Sequence, residues 1–556
     1  MNFNHYFSND ELENVLQGWV QAYPDLVTLT SLGPSHEKRP IWLLALTNRQ
    51  SGPAAEKPAL WVDANLHATE LAGTTAALYL AHALISGYAQ DEQCKRLLDT
   101  CTFYIAPRLN PDGAALAMAE QPKFIRSGVR PYPYEDKQDG LHAEDVDGDG
   151  RILQMRIRDA NGQWKVSKLD PRLMEKRAPE EVAGQFYRLL IEGSIENYDG
   201  YQIPAAPPLE GLDFNRNYPF AWRGEDEQPG AGPYPASEPE VRAAVDFLAA
   251  HSNINVAITF HTFSRVLLRP YSTKADEELP ANDLWVFKKL GEIGTRLTGY
   301  RCVSTFHDFK YHPKEITTGA FDDWAYDQLG LYSFTIELWD LPTEAGIKER
   351  KFIEWWRQHP VEEDVQILKW ADEHAPGGYV NWYEFEHPQL GKLELGGWDH
   401  LYTWRNPPHT FTEAEVSRHT PWLLALADML PHISLHTLEA KALGNDTYHL
   451  NLVVENSGFF PSYTSEQGKK RKATRPVRVE LALPEGAMLC NGKLKTELGH
   501  LDGRANDLEV TAFGTSDPTS HRSRAEWVIR ARPGSTVGVT VIGERAGTVR
   551  REVKLE

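Results

Sequence analysis

Apolar positions along the first hundred residues change period in a regular order. Leu12, Val15, Leu16 and Trp19 recur at helical spacing, Ser8 or Asn9 can cap them, and Asp10 and Glu11 fall in the first turn, so residues 8–23 are predicted as a helix. Apolar runs at 27–32, 40–47, 58–66 and 101–107 are predicted strands, with a helix over the Ala-rich segment 70–87. Segments 254–260 and 331–338 are apolar almost throughout, as strands covered on both faces must be. Strands alternating with helices indicate a layered α/β unit around a buried sheet. Residues 412–430 continue it as one predicted helix, capped by Thr412, with Trp422, Leu423, Leu426 and Leu430 facing inward.

After about residue 432 the pattern changes. Thr447–Val454, Pro476–Leu483, Ala525–Ala531, Val537–Ile542 and Thr548–Leu555 are short β-rich runs between turn residues, without a helical stretch, and read as an antiparallel β-sandwich. The basic run 469–472 reads as a solvated hairpin loop.

Composition narrows the functional classes. A net charge of −20 argues against nucleic acid or an anionic membrane as partner. No stretch approaches eighteen uninterrupted apolar residues, and Met1 to Phe7 lack the basic and apolar regions of a secretory signal. Four cysteines without a Cys-x-x-Cys pair suit a reducing compartment, so a cytoplasmic location is expected.

Candidate chemistry gathers at predicted strand ends. His67 and Glu70 stand three apart at a strand-to-helix corner, where α/β proteins place their sites, and His261 follows strand 254–260 directly. Two imidazoles and a carboxylate would make a zinc site with one position open, the arrangement of a catalytic ion. The loop 211–217 presents Asp213, Asn215 and Arg216, and arginine grips a carboxylate through a bidentate fork. Glu337 lies inside an apolar strand, where a carboxylate is costly without a partner. Asp145, Asp147 and Asp149 with Gly150 form the first half of a calcium loop, a second candidate ion site; Arg156 at the twelfth position disfavours an EF-hand.

These motifs, His67-x-x-Glu70, Gly211-x-Asp213-x-Asn215-Arg216-Asn217, His261-Thr262-Phe263-Ser264 leading to Pro270-Tyr271, and Asp323-Trp324-Ala325-Tyr326 leading to Glu337, resemble the zinc carboxypeptidase A/B family in order and style. The resemblance implies a mixed-sheet α/β/α catalytic domain over residues 1–431, enlarged by insertions at about 114–210 and 341–410, and then the small all-β sandwich over 432–556. It implies one Zn2+ on His67, Glu70 and His261, Glu337 as general base, and Asp213 orienting His67. Asn215 and Arg216 would hold the free C-terminus of a peptide substrate, and Arg126, or alternatively Arg130, would stabilise the oxyanion. Asp322 falls where B-type members carry the acid that selects a basic terminal side chain, although as a preferred helix cap it has a second reading. The implied activity is hydrolysis of the C-terminal peptide bond. The alternatives are an amidase of peptidoglycan-derived peptides, a deglutamylase, or a non-catalytic module that binds C-termini.

The sequence also departs from the family pattern. Thr69 replaces an arginine often found inside the His-x-x-Glu motif, and the position of the family's mobile tyrosine falls on Glu315, with Tyr311 the nearest substitute.

Overall fold

A computed structural model describes the chain except residues 311, 313, 349 and 507–517, and of Phe352 only the backbone. Eight strands form the central sheet: β1 (Val27–Pro34), β2 (Pro40–Leu46), β3 (Ala59–Ala64), β4 (Thr102–Ala106), β5 (Ile254–Thr262), β6 (Val266–Arg269), β7 (Arg301–Ser304) and β8 (Tyr332–Leu338). Their order is β1-β2-β4-β3-β5-β8-β6-β7. Strands β4, β3, β5 and β8 run parallel, while β2 on one side and β6 on the other join antiparallel, so the sheet is mixed. Leu60, Val62 and Ala64 face one apolar core while Ala59 and Trp61 face another, which is why the central strands read as continuous apolar runs.

Helices cover both faces of this sheet. Asn9–Ala22 is capped by Ser8 in a reciprocal capping box with Glu11 and buries Leu12, Leu16 and Trp19. Ala72–Gly87 packs closely enough that a Cβ on Gly73 would come within 3.1 Å of both Ala64 and Phe260. The single helix predicted over 412–430 is two, His409–Ser417 and Thr420–Asp428, and Thr412 lies buried inside the first instead of capping it. Pro421 is the cause, since proline lacks the N–H of a helix interior and fits only a first turn.

The segments expected as insertions, 114–210 and 341–410, share one structure. Strands Gln154–Arg158, Tyr187–Ile191, Trp164–Val166 and Met174–Lys176 from the first join Tyr379–His387 and Gly391–Trp398 from the second in a six-stranded sheet. Its seam pairs Met155 with Leu395, and both are fully buried.

Residues 433–554 supply two four-stranded antiparallel sheets whose inner residues, including Leu450, Trp527, Val479 and Val539, share one core. Strands Ile433–Gly444, Met488–Asn491 and Lys495–Gly499 add to those predicted. The basic run is the end of a short helix, Glu466–Arg471, capped by Ser465, and not a hairpin loop. That helix docks on Ala281–Thr298 and Phe321–Leu329 of the catalytic part: Asp283 of the first accepts the backbone N–H groups of Glu466 and Gln467, Ser465 donates to Gly330 O, and Arg471 pairs with Asp327 of the second. Gly330 (φ +65°) permits the contact, for a Cβ there would lie 2.2 Å from Gly468 Cα. Among the described residues no helix is long and apolar enough to cross a membrane.

Candidate active site

The C-terminal ends of β3, β5 and β8 bring the candidate residues together, as adjacent parallel strands dictate. His67 follows β3, His261 is the penultimate residue of β5, and Glu337 sits opposite His261 in the β5–β8 register. His67 Nδ1 lies 3.0 Å from Glu70 Oε1 and 3.0 Å from His261 Nδ1, and His261 Nδ1 lies 2.9 Å from Glu70 Oε2. Donor atoms around a tetrahedral zinc with bonds of 2.0–2.1 Å stand about 3.3 Å apart, so these separations fit one such ion. Asp213 Oδ1 is 3.2 Å from His67 Nε2 and accepts a hydrogen bond from a proton held there, which leaves the Nδ1 lone pair facing the other donors. Two lone pairs and a carboxylate converging in a buried place are a donor set for a cation.

Electrostatics follow from burial. Burial works against ionised Glu70, but the two imidazoles overcome it and hold the carboxyl well below its usual range. Burial likewise opposes ionised Asp213, and Arg126, Arg216 and His67 outweigh it. No such balance exists at Glu337: burial and the Glu70 charge push it up to about 7 although His261, Arg126 and Arg405 pull the other way.

A cavity of about 520 Å³ opens over these groups, lined by Glu70, Arg126, Asp213, Arg216 and Glu337 and further by Phe263, Trp356 and Arg405. Arg126 donates to Asp213 at 2.9 Å and Glu70 at 3.3 Å, whereas Arg130 is engaged by both oxygens of Glu238 and does not line the cavity. Asn215 accepts the Phe321 N–H, tying the Arg216 loop to the helix that carries Asp322. Asp322 is buried and does not line the cavity, but it is near enough to His261 to feel its charge. It occupies the second position of its helix, with Ala320 as cap, and burial raises its pKa. Glu315 is exposed, and Tyr311 lies outside the described residues.

Residues 12–357 match the zinc carboxypeptidase family. The chain belongs to it. It is a zinc metallocarboxypeptidase, a hydrolase. Carboxypeptidase A2 of Rattus norvegicus is 25% identical over 65% of this chain and 72% of its own length, and carboxypeptidase B2 of Bos taurus is 24% identical over 61% and 64%. The solved carboxypeptidase A of Helicoverpa armigera has 20% identity and a TM-score of 0.39 over 68% of this chain and 76% of its own. Residues 432–554 match a family described as a domain of unknown function, DUF8731.

One sequence reading needs adjusting beside this carboxypeptidase site, and one residue was missed. The Asp145, Asp147 and Asp149 carboxylates do converge, but they accept the N–H groups of Gly148, Gly150, Asp149 and Arg151 and the side chains of Arg151 and Tyr383. A folded acidic turn accounts for them, and we assign no calcium there. Arg405 was not singled out by any motif: it lies in the second insertion, and only the fold carries it to within 3.9 Å of Glu70.

Proposed function

We propose that the enzyme releases single C-terminal residues from peptides and prefers terminal side chains that are basic or bear an amine. The reading rests chiefly on Asp322, a buried carboxylate within reach of the His261 charge and on the same helix that Asn215 ties to the Arg216 loop. Arg216 holds the terminal carboxylate through its fork, and Asn215 fixes the loop that presents it. A terminal ammonium or guanidinium then meets Asp322, a buried carboxylate that so far accepts only the Asp323 N–H at 3.0 Å and a long contact from Thr335 Oγ1 at 3.5 Å and, among the described residues, has no cation beside it. When bound by His67, Glu70 and His261, zinc supplies Lewis acidity at the scissile carbonyl and brings a water's pKa to about 7.

Glu337 accepts a proton from the attacking water at a carboxylate oxygen and returns it to the leaving amine. Arg126, held in place by Asp213 and Glu70, donates to the oxygen on which negative charge develops. Asp213 keeps the proton on His67 Nε2. The four cysteines, none in a disulfide, suit a cytoplasmic setting, which cell fractionation would check.

The test is hydrolysis by the zinc-loaded enzyme of matched peptides ending in Lys, Phe or Glu, together with a tripeptide ending in diaminopimelate. Faster release of Lys or diaminopimelate than of Phe, abolished by Asp322→Ile, is the expected result. Equal rates on Lys and Phe would remove the preference, and absence of hydrolysis on all four would remove the activity.

A further inference from the structure

We infer that the C-terminal β-sandwich positions the helix that selects the terminal side chain, and that Gln467, Arg471 and Arg545 are the positioning residues. The inference rests on the Asp322 reading above and gives a role to the domain of unknown function. Helix Phe321–Leu329 carries Asp322 in its first turn, and its other end lies against the sandwich.

An α-helix leaves its last carbonyls without partners of its own. Ala325 O and Tyr326 O take the N–H groups of Leu331 and Gly330, the pattern of a left-handed glycine cap. The carbonyls that follow are received by side chains of the sandwich. Asp327 O accepts from Gln467 Nε2 and from Arg471 Nε, each at 3.0 Å, and Leu329 O accepts from Arg545 Nη2. Gly330 O accepts from Arg545 Nη1 at 3.1 Å and from Ser465 Oγ at 2.8 Å. The helix is thus finished by residues from outside the catalytic part.

Arg545 shows that the contact is built for the helix end. It is 2% exposed, and among the described residues no carboxylate lies within ion-pair distance of its guanidinium. Burial lowers its pKa to about 10 against a smaller opposing pull from Glu544. What compensates the buried cation is the negative end of the helix dipole, met through the two carbonyls. The Arg545 carbonyl in turn accepts Asn255 Nδ2 at 3.0 Å, which ties the same residue to the start of β5.

The Asp322 end of the helix is held more lightly. Ala320 supplies no side-chain cap, and the Phe321 N–H goes to Asn215 Oδ1 at 2.8 Å. Phe321 and Trp324 pack in one apolar cluster and hold the helix sideways, but apolar packing is not directional. Hydrogen bonds are, so those at the C-terminal end set the helix along its own axis. Nine residues rising about 1.5 Å each make a rod about 13 Å long, and a shift at one end carries Asp322 with it.

The experiment uses the zinc-loaded full chain and two matched N-blocked peptides ending in Lys and Phe, and reads the ratio of their kcat/KM values. Both rates come from one preparation, so a misfolded fraction cancels. Wild type should favour Lys by about tenfold or more. Arg545→Met should bring the ratio to within about twofold of one, and Gln467→Leu should lower it by about threefold. Arg545→Lys, which keeps a cationic donor, should fall between Arg545→Met and wild type. Arg550→Met is the control: Arg550 joins the sandwich to Glu56 at 2.7 Å, so the variant loosens the same domain contact away from the helix and should keep the wild-type ratio. A Lys preference unchanged in both Arg545→Met and Gln467→Leu, or lowered equally in Arg550→Met, overturns the inference and leaves the Asp322 reading standing. Gln467→Leu decides alone if Arg545→Met does not fold. Equal rates on Lys and Phe in wild type remove the Asp322 reading, and this inference with it.

Discussion

Gly319→Ala tests the geometry of the carboxylate clamp without touching a charged group. Gly319 has φ +66°, and a Cβ there would stand 2.1 Å from Arg216 O and 2.6 Å from its carbonyl carbon. Contacts below 3.0 Å are not tolerated, so the Arg216 backbone must retreat by about 1 Å. A fork displaced that far loses one of its charge-assisted hydrogen bonds, about 1.5–3 kcal/mol, or roughly ten- to a hundredfold in kcat/KM. The left-handed backbone adds about 1–2 kcal/mol of strain that bears on stability only. Gly299→Ala is the control, since Gly299 has φ +77° and nothing within 4 Å of its Cβ position. Steady-state kinetics on a C-terminal Lys peptide, with thermal midpoints of both variants, separate the two effects. We expect both variants to lose stability and only Gly319→Ala to raise KM tenfold or more. A KM within twofold of the Gly299→Ala value would refute the argument that this glycine positions Arg216.

Glu337→Gln should retain zinc by metal analysis and lose about 10²–10⁴ in kcat; full activity would remove the general-base role. The base works ionised, and burial raises Glu337 to about 7, so kcat/KM should fall on acidification with a midpoint at or below that value, zinc's charge pulling it down. A midpoint below the 4.3 of free glutamate would contradict this. Glu240 is a stability probe: burial pushes its carboxyl up to about 7 against a hydrogen bond from the His36 N–H. The native state binds more protons than the unfolded state between about 4.3 and that value, so stability present at low pH is lost as pH rises through the window. Glu240→Gln should therefore stabilise by up to ~3.5 kcal/mol at pH 8 and have little effect near pH 4, read by urea unfolding; equal effects at both would count against it. Gly330→Ala should lower the unfolding midpoint by several degrees more than Gly534→Ala, which has φ +77° but open space around its Cβ. Equal midpoints would mean that the β-sandwich is not locked to the catalytic part through Gly468.

Legibility in the sequence tracked burial. Strands such as Ile254–Thr262 are covered on both faces, so their apolar runs announced them, and His67, His261 and Glu337 were legible as polar residues at or within such runs. Trp164–Val166 and Met174–Lys176 are half-exposed strands of three residues, too short for a period to show. The helix Glu466–Arg471 was hidden by its charges, because its stability comes from docking on Asp283 and Asp327 and not from an apolar face. Arg126 is the better fit in sequence with Arg130 as the alternative, and spacing could not show that Arg130 is engaged by Glu238, more than a hundred positions away. Arg405 left no trace in spacing, since tertiary anchoring through Asn406 places it.

The pairing of Gln154–Arg158 with Gly391–Trp398 has an evolutionary consequence. Neither insertion can be deleted alone without leaving the other with an open strand edge and an uncovered Met155 or Leu395. Relatives of this enzyme should therefore possess both segments or neither, and the length of one should predict the presence of the other.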